Sequence, residues 1–380
     1  MVWVWGESGP DAVLESAVTQ AQLVPDLDDE EGLKSGRVIA GNVGHTDLNY
    51  GWDTFMENVV DPSHVPSSHH GIAGDRYKGV VPMRLKPTER WPVPTKAGFE
   101  FAFRDDVALS DSELAFRPPC LVINKATDKT GSLLLVLYGT PTEPGRVRLL
   151  GRSAYVYRLT PKSKEAKEQA REDKKRGVKK SRIKTTATVA AKLPSWFQHV
   201  SGNRFLHQDL VFLHHQQEKI LASAGYDSSN YAEAVYVPTS ADRAVLALRQ
   251  WITKFGSGGP FGDRTLPPRQ HSREALFNVY ENHTKNCKSC QGALKNVKRI
   301  MTAAKTSSVI SLVWAVMRGA RAMAMMAATG SAPASVINVR TARAMLPAVA
   351  LTVVSLGAVK ALEKLHGMFY TYPFHHQDNP

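Results

Sequence analysis

The sequence predicts an α+β fold: an antiparallel sheet with helices gathered on one side, followed by a C-terminal pair of apolar helices. Three observations predict it. Strand-like runs follow one another between residues 80 and 158, separated by short Gly, Pro, Asp or Lys turns. Consecutive strands with hairpin-like spacing pair antiparallel. Helix-period segments come after the strands, and that order places the chain in the α+β class. The last quarter then changes character, to apolar stretches rich in small residues.

The elements follow in chain order. "MVWVWGES" alternates Trp and Val and reads as a strand. Residues 9–49 are acidic, then Gly-rich, and read as a connector. "YGWDTFMENVVDPSHVPSSHHG" is helical in pattern from Trp52 to Val60, and Pro62 and Pro66 interrupt the helix. The strand-like runs are "GFEFAFRDD", "PPCLVINKA", "GSLLLVLYGTP" and "GRVRLLGRSAYVYRL". A Lys-rich insertion at 162–184 comes next. "LPSWFQHVSGNRFLHQDLVFLHHQQEKILASAG" then reads as a long amphipathic helix. "SADRAVLALRQWITKFG" is another, with Ser240 as its N-cap and Gly256 as its stop. Near the end come "SSVISLVWAVMRGARAMAMMAAT", interrupted by Arg318 and Arg321, and "AMLPAVALTVVSLGAVKAL". The second has about fifteen residues from Met345 to Val359 before Lys360, short of the roughly 20 a spanning helix wants. A transmembrane hairpin, interfacial helices and a soluble pair all fit this pattern.

At 380 residues and 43% hydrophobic, the chain can bury a sizeable core. Its net charge of +13 invites a nucleic-acid reading. The excess is local, however: residues 162–184 hold eleven Lys or Arg against four acids. Such a run reads as a solvated helix or disordered insertion, with an anionic membrane as the lesser alternative. Nucleic acid is not expected as a partner. Three cysteines, Cys120, Cys287 and Cys290, make no disulfide framework.

The chemistry concentrates in Asn58-x2-Asp61-x2-His64-x4-His69. A non-haem Fe(II) centre that activates oxygen uses two imidazoles and one carboxylate on one face, leaving other positions open. Asp61 and His64, three apart, project to one side of a helix. Pro66 breaks the turn and lets His69 swing back, with His70 as a rival ligand. A carboxylate must come from elsewhere. Asp209, in the otherwise apolar "NRFLHQDLVFLHHQQEK", would be costly there unless it met a metal or a cation such as Arg204. With 13 histidines in the chain, chance His pairs are also expected. Cys287-x2-Cys290 reads as a redox dithiol, half a zinc site or an accident, and flanking Lys285 and Lys288 would favour thiolate. Cys120 reads as a buried strand cysteine.

"YGWDTFMENVVDPSHVPSSHHGIAGDR" resembles the iron-binding segment of the pheophorbide a oxygenase group of plastid Rieske oxygenases. That group includes the accelerated-cell-death and lethal-leaf-spot proteins and Rieske components of the inner-envelope translocon. The resemblance continues in order through "LPSWFQHVSGN", "QDLVFLHHQQEK", "VPTSADRAVLALRQWI", "VYENHTKNCKSCQGAL" and "KLHGMFYTYPFHH". It implies a helix-grip catalytic domain over 50–300 and a membrane-associated helical region over 301–380. It implies that His64, His69 and Asp209 ligate a mononuclear Fe(II). Asp61 matches the aspartate that links an iron-ligand histidine to the Rieske cluster of a neighbouring subunit in a homotrimer. A [2Fe–2S] cluster needs Cys-x-His and Cys-x2-His pairs. The sequence contains neither, so residues 1–8 are expected to be the last strand of a Rieske domain, and the chain the catalytic part of a longer protein. The implied function is oxygenation of a tetrapyrrole, most simply opening of the pheophorbide a macrocycle, with electrons from ferredoxin, at a chloroplast thylakoid or inner-envelope membrane. Alternatives are a paralogue acting on protochlorophyllide and a redox-sensing component of protein import. In the family the CxxC is linked to thioredoxin, which makes thioredoxin a further implied partner.

Overall fold

The computed structural model describes residues 10–19, 21–106, 110–177, 181–224, 231–261, 266, 270, 272–328 and 339–372. The strand read over residues 1–8 lies outside them. The chain forms two compact units, Met1–His271 with His375–Pro380, and Ser272–Phe374.

The first unit is α+β, as expected. Its sheet has eight strands: β1 Val38–Ala40, β2 Gly44–Leu48, β3 Lys86–Pro87, β4 Phe99–Asp105, β5 Ser110–Arg117, β6 Leu121–Asp128, β7 Gly131–Glu143 and β8 Arg146–Tyr157. The order is β1-β8-β7-β6-β5-β4-β3, with β2 also on β8, and every pairing is antiparallel. The four quoted runs became β4, β6, β7 and β8. The turn between β7 and β8 is closed by Pro144 and by Gly145 at φ 71°, a left-handed conformation that glycine adopts without strain. The quoted runs passed over β5, because Ser110 and Ser112 fill inward positions where an apolar residue would have announced a strand. β1 and β2 come from the stretch read as a connector. In β2 the buried residues are Thr46 and Leu48, while Asp47 makes a two-pronged ion pair with Arg148 across the ladder, at 2.6 and 2.8 Å.

The Trp52–Val60 helix lies across this sheet with the bounds its pattern predicted. Trp52, Phe55, Met56 and Val60 are buried, the i, i+3, i+4, i+8 stripe of a helix pressed on a core. The strand comes close to it: a Cβ on Gly139 of β7 would stand 2.5 Å from the Phe55 ring and 2.6 Å from Met56. The opposite sheet face packs Leu121, Leu134, Val136 and Tyr138 against Val24 and Leu27.

Two further helices run Ser195–Ala224 and Arg243–Phe255. The second ends at Gly256 as expected, its N–H donating to Trp251 and Ile252 carbonyls. Ser240 is not the cap. It opens a 3-10 turn over Ser240–Asp242, where the Asp242 carboxylate accepts the Thr239 N–H and hydroxyl, while the Ser240 hydroxyl donates to the Met83 carbonyl. The basic insertion carries a helix over Lys164–Lys175 with solvated side chains, started by the Ser163 hydroxyl accepting from Ala166 N–H. Cys120 sits in the turn before β6, partly buried, instead of in a strand.

In the second unit, long helices Lys288–Ala328 and Val339–Gly367 lie along one another. Ser311 meets Thr352 at 2.8 Å and Ser307 meets Ser355 at 3.3 Å, and Gly319 lies against Met345. Val309, Ile310, Val313, Met317, Val353 and Val354 are exposed. The segments Lys288–Met325 and Met345–Gly367 are long and apolar enough to cross a membrane.

Candidate metal centre

The Trp52–Val60 helix stops at Asp61, whose extended backbone frees its carboxylate to accept the Ser63 N–H at 2.8 Å and hydroxyl at 2.6 Å. That cap starts a 3-10 turn over Pro62–His64, and one short helical turn, Val65–Ser68, delivers His69. Gly74 returns against Pro66 so closely that a Cβ would stand 2.7 Å from the Val65 carbonyl oxygen. The Ser195–Ala224 helix supplies Asp209. Ligand atoms of His64, His69 and Asp209 all lie within 4.8 Å of one another. Asp209 Oδ2 is 3.1 Å from His69 Nε2 and 3.7 Å from His64 Nε2. His69 is fully buried and Asp209 nearly so.

The proton positions follow from the partners. The Asp61 main-chain carbonyl can only accept, so His64 donates to it from Nδ1. His69 likewise donates from Nδ1 to Gln208 Oε1 at 3.2 Å. In neutral rings both Nε2 atoms are then lone pairs turned toward a carboxylate, and His69 Nε2 is buried without a hydrogen bond. Lone pairs facing an anion repel. A cation among these three atoms removes the repulsion, so this donor set fits a divalent metal. His70 is turned elsewhere: its Nδ1 accepts the Arg76 N–H at 3.0 Å and its ring meets Tyr77. The Asp209 carboxylate makes its ionic contacts with the two histidines.

The Ser195–Ala224 and Arg243–Phe255 helices both hold the Trp52–Val60 helix in place. Gln217 accepts the Gly51 N–H at 2.8 Å, and His214 donates to the Asn49 carbonyl, which fixes the start of the Trp52–Val60 helix. Arg249 clamps the middle of that helix, paired with buried Glu57 and, at 3.2 Å, with Asp53. Burial raises the Glu57 carboxyl above its usual range, with Arg249 opposing the rise. Burial, helped by the Asp209 charge, also holds the Tyr50 phenol well above its ordinary value.

Residues 116–226, which include Asp209, match the family described as Pheophorbide a oxygenase. Pheophorbide a oxygenase of Oryza sativa subsp. japonica is 30% identical over 267 residues, 65% of this chain and 44% of that protein. This chain is similar to the pheophorbide a oxygenases. It spans about half the length of the curated relatives it matches. Flavonoid 8-hydroxylase 2 of Ocimum basilicum is 25% identical over 99% of this chain and 64% of its own length. Protochlorophyllide-dependent translocon component 52 of Arabidopsis thaliana is 24% identical, over 78% of this chain and 54% of its own length. All these relatives of the pheophorbide a oxygenase group are named as chloroplastic.

Three contributions at the centre went unread in the sequence. Gln208 fixes the His69 tautomer, Phe205 stacks on the His69 ring with centroids 3.5 Å apart, and Tyr50 lies in the field of Asp209. The available signal was the i, i+3, i+4 spacing of Phe205, Gln208 and Asp209, which puts all three on one helix face. The CxxC pair lies in the other unit. Cys287 closes a 3-10 turn and Cys290 enters the first turn of the long helix. Both are buried, at 5% and 0% exposure, whereas a thioredoxin-addressed dithiol needs to be reachable from solvent.

Proposed function

We propose that this chain is the mononuclear iron part of a Rieske-type oxygenase, with His64, His69 and Asp209 as the ligands of Fe(II). The observation that carries this reading is the tautomer lock: both Nδ1 atoms are engaged as donors, leaving both Nε2 atoms directed at one buried carboxylate. Bound there, the metal would supply reductive activation of O2. The protein's own residues do the rest. Gln208 and the Asp61 carbonyl orient the imidazoles and raise their basicity. Phe205 and the burial of His69 keep bulk water from that side of the site. Asp61, half-buried beside His64, is the residue through which electrons from a [2Fe–2S] cluster would be coupled, and ferredoxin is the proposed donor to that cluster.

A tetrapyrrole is the proposed substrate, most simply pheophorbide a, and the proposed setting is a chloroplast membrane entered by the C-terminal helices. The homotrimer is part of the same proposal. The deciding experiment joins the chain to a Rieske domain upstream of Val2. Oxygen incorporation from 18O2 is then measured with reduced ferredoxin and pheophorbide a, protochlorophyllide or a flavone in parallel. Pheophorbide-dependent incorporation that collapses in Asp61→Asn, with iron content unchanged, is the expected result. Incorporation into another of the three reassigns the substrate. Sustained turnover by residues 1–380 alone sinks the electron path.

A further inference from the structure

The Ser272–Phe374 unit contains a second group of metal-ligating side chains, remote in chemistry from the first. His283, Cys287 and Cys290 bring their ring nitrogen and two sulfurs within 4.8 Å of one another. His283 Nε2 is 3.2 Å from Cys290 Sγ. All three residues are buried, at 1%, 5% and 0% exposure.

The scaffold around them is stitched tightly. The Val279–Asn282 helix ends at His283, whose N–H returns to the Val279 carbonyl. The Thr284–Asn286 turn ends at Cys287, whose N–H returns to Thr284. Thr284, fully buried, donates its hydroxyl to the Phe369 carbonyl at 2.8 Å. Tyr280 N–H reaches the Tyr370 carbonyl and Tyr372 N–H the Phe277 carbonyl, each at 3.2 Å. The start of the eight-residue stretch from His283 to Cys290 is thereby pinned against the residues that follow the second long helix.

We propose that His283, Cys287 and Cys290 form a zinc site that ties the base of the helical hairpin. Three arguments favour zinc over a dithiol switch. Two thiols and an imidazole are the donors of structural zinc, and soft sulfur ligands select against Fe(II) and Mg²⁺. The imidazole in contact with the Cys290 sulfur adds a third donor of the kind a structural zinc site uses. Burial closes the route that a thioredoxin-like reductase needs, whereas a metal can be enclosed as the turns fold. Binding deprotonates both thiols: Zn²⁺ is taken up, two protons leave, the thiolates and the neutral imidazole coordinate, and no oxidant is consumed. The fourth position is left for water or a donor from outside these eight residues.

The test uses the full chain in detergent, purified without chelator, loaded first with Fe(II) under argon and then given one equivalent of Zn²⁺. Elemental analysis should give about one zinc per chain, falling to about zero in Cys287→Ser/Cys290→Ser while iron at the first site is unchanged. Because that variant could misfold, wild-type protein is also loaded with Co²⁺. A near-ultraviolet thiolate-to-cobalt charge-transfer band that moves in His283→Gln assigns all three ligands. Zinc content unaffected by the double substitution, absence of the cobalt band, or recovery of the pair as a disulfide from air-exposed protein each overturns the proposal.

Discussion

At the proposed metal centre Gln208 would touch no metal; its part is to hold the proton on His69 Nδ1. Gln208→Leu is therefore expected to weaken iron binding roughly 10- to 100-fold, and Asp209→Ala to abolish it. Titration with Fe(II) under argon checks both, and unchanged affinity in Gln208→Leu would show that the tautomer is set another way. His64, His69 and Asp209 came into view because each is an odd residue in its setting, a histidine beside a proline break or a carboxylate in an apolar helix, but the residues alone left His70 and an Arg204 pairing open, and only the family resemblance chose the set. Gln208 was not, since a glutamine among polar neighbours has no such contrast. Cys120 offers a test of a different kind. Burial pushes its thiol up to about 11, while in the unfolded chain it titrates near its ordinary 9.0. Between those values the unfolded state releases a proton that the folded state keeps, so stability falls as pH rises from 9 toward 11. The loss should reach roughly 1 kcal/mol by pH 10. Urea unfolding at pH 8.5 and pH 10 should show it, and Cys120→Ala should remove that part of the slope.

At the scale of elements, the Trp52–Val60 helix is held by one buried cation. Arg249→Met leaves Glu57 buried without its partner, a loss expected to cost about 3–5 kcal/mol. Replacing both residues by Met should recover most of that, because the penalty lies in the stranded charge. Denaturant unfolding of the single and double variants decides this, and equal stability of the two would refute it. The Trp52–Val60 helix was readable because its apolar stripe is regular and Pro62 marks its end. The Arg249 clamp was not, since an arginine on a helix ordinarily faces water and its two acidic partners lie almost 200 positions earlier in the chain. β5 and β2 escaped for one shared reason: serine and threonine take inward positions, so alternation in hydrophobicity fades while alternation in burial persists.

For the whole molecule, the helical pair poses the largest question of environment. Sequence left three settings open because Arg318 and Arg321 break the first apolar run. In the structure the Arg318 guanidinium stands over the Trp314 ring at 5.3 Å, an arrangement that lets a charged head and an aromatic share an interface. The proposed membrane setting predicts that the full chain stays in the pellet after an alkaline carbonate wash of membranes. Release into the supernatant would place the pair elsewhere. The sheet raises a different matter at its β3 edge. An open edge is a template on which unrelated chains can add strand after strand. Here the edge is two residues long, and they are Lys86 and Pro87. Lysine puts a charge where an incoming strand would have to desolvate it, and proline removes the N–H such a strand would bind. The edge is thus protected against fibrous self-association by its composition as well as its brevity. Lys86→Val/Pro87→Thr should leave the fold intact yet make the protein scatter light on concentration, long before it loses any secondary structure.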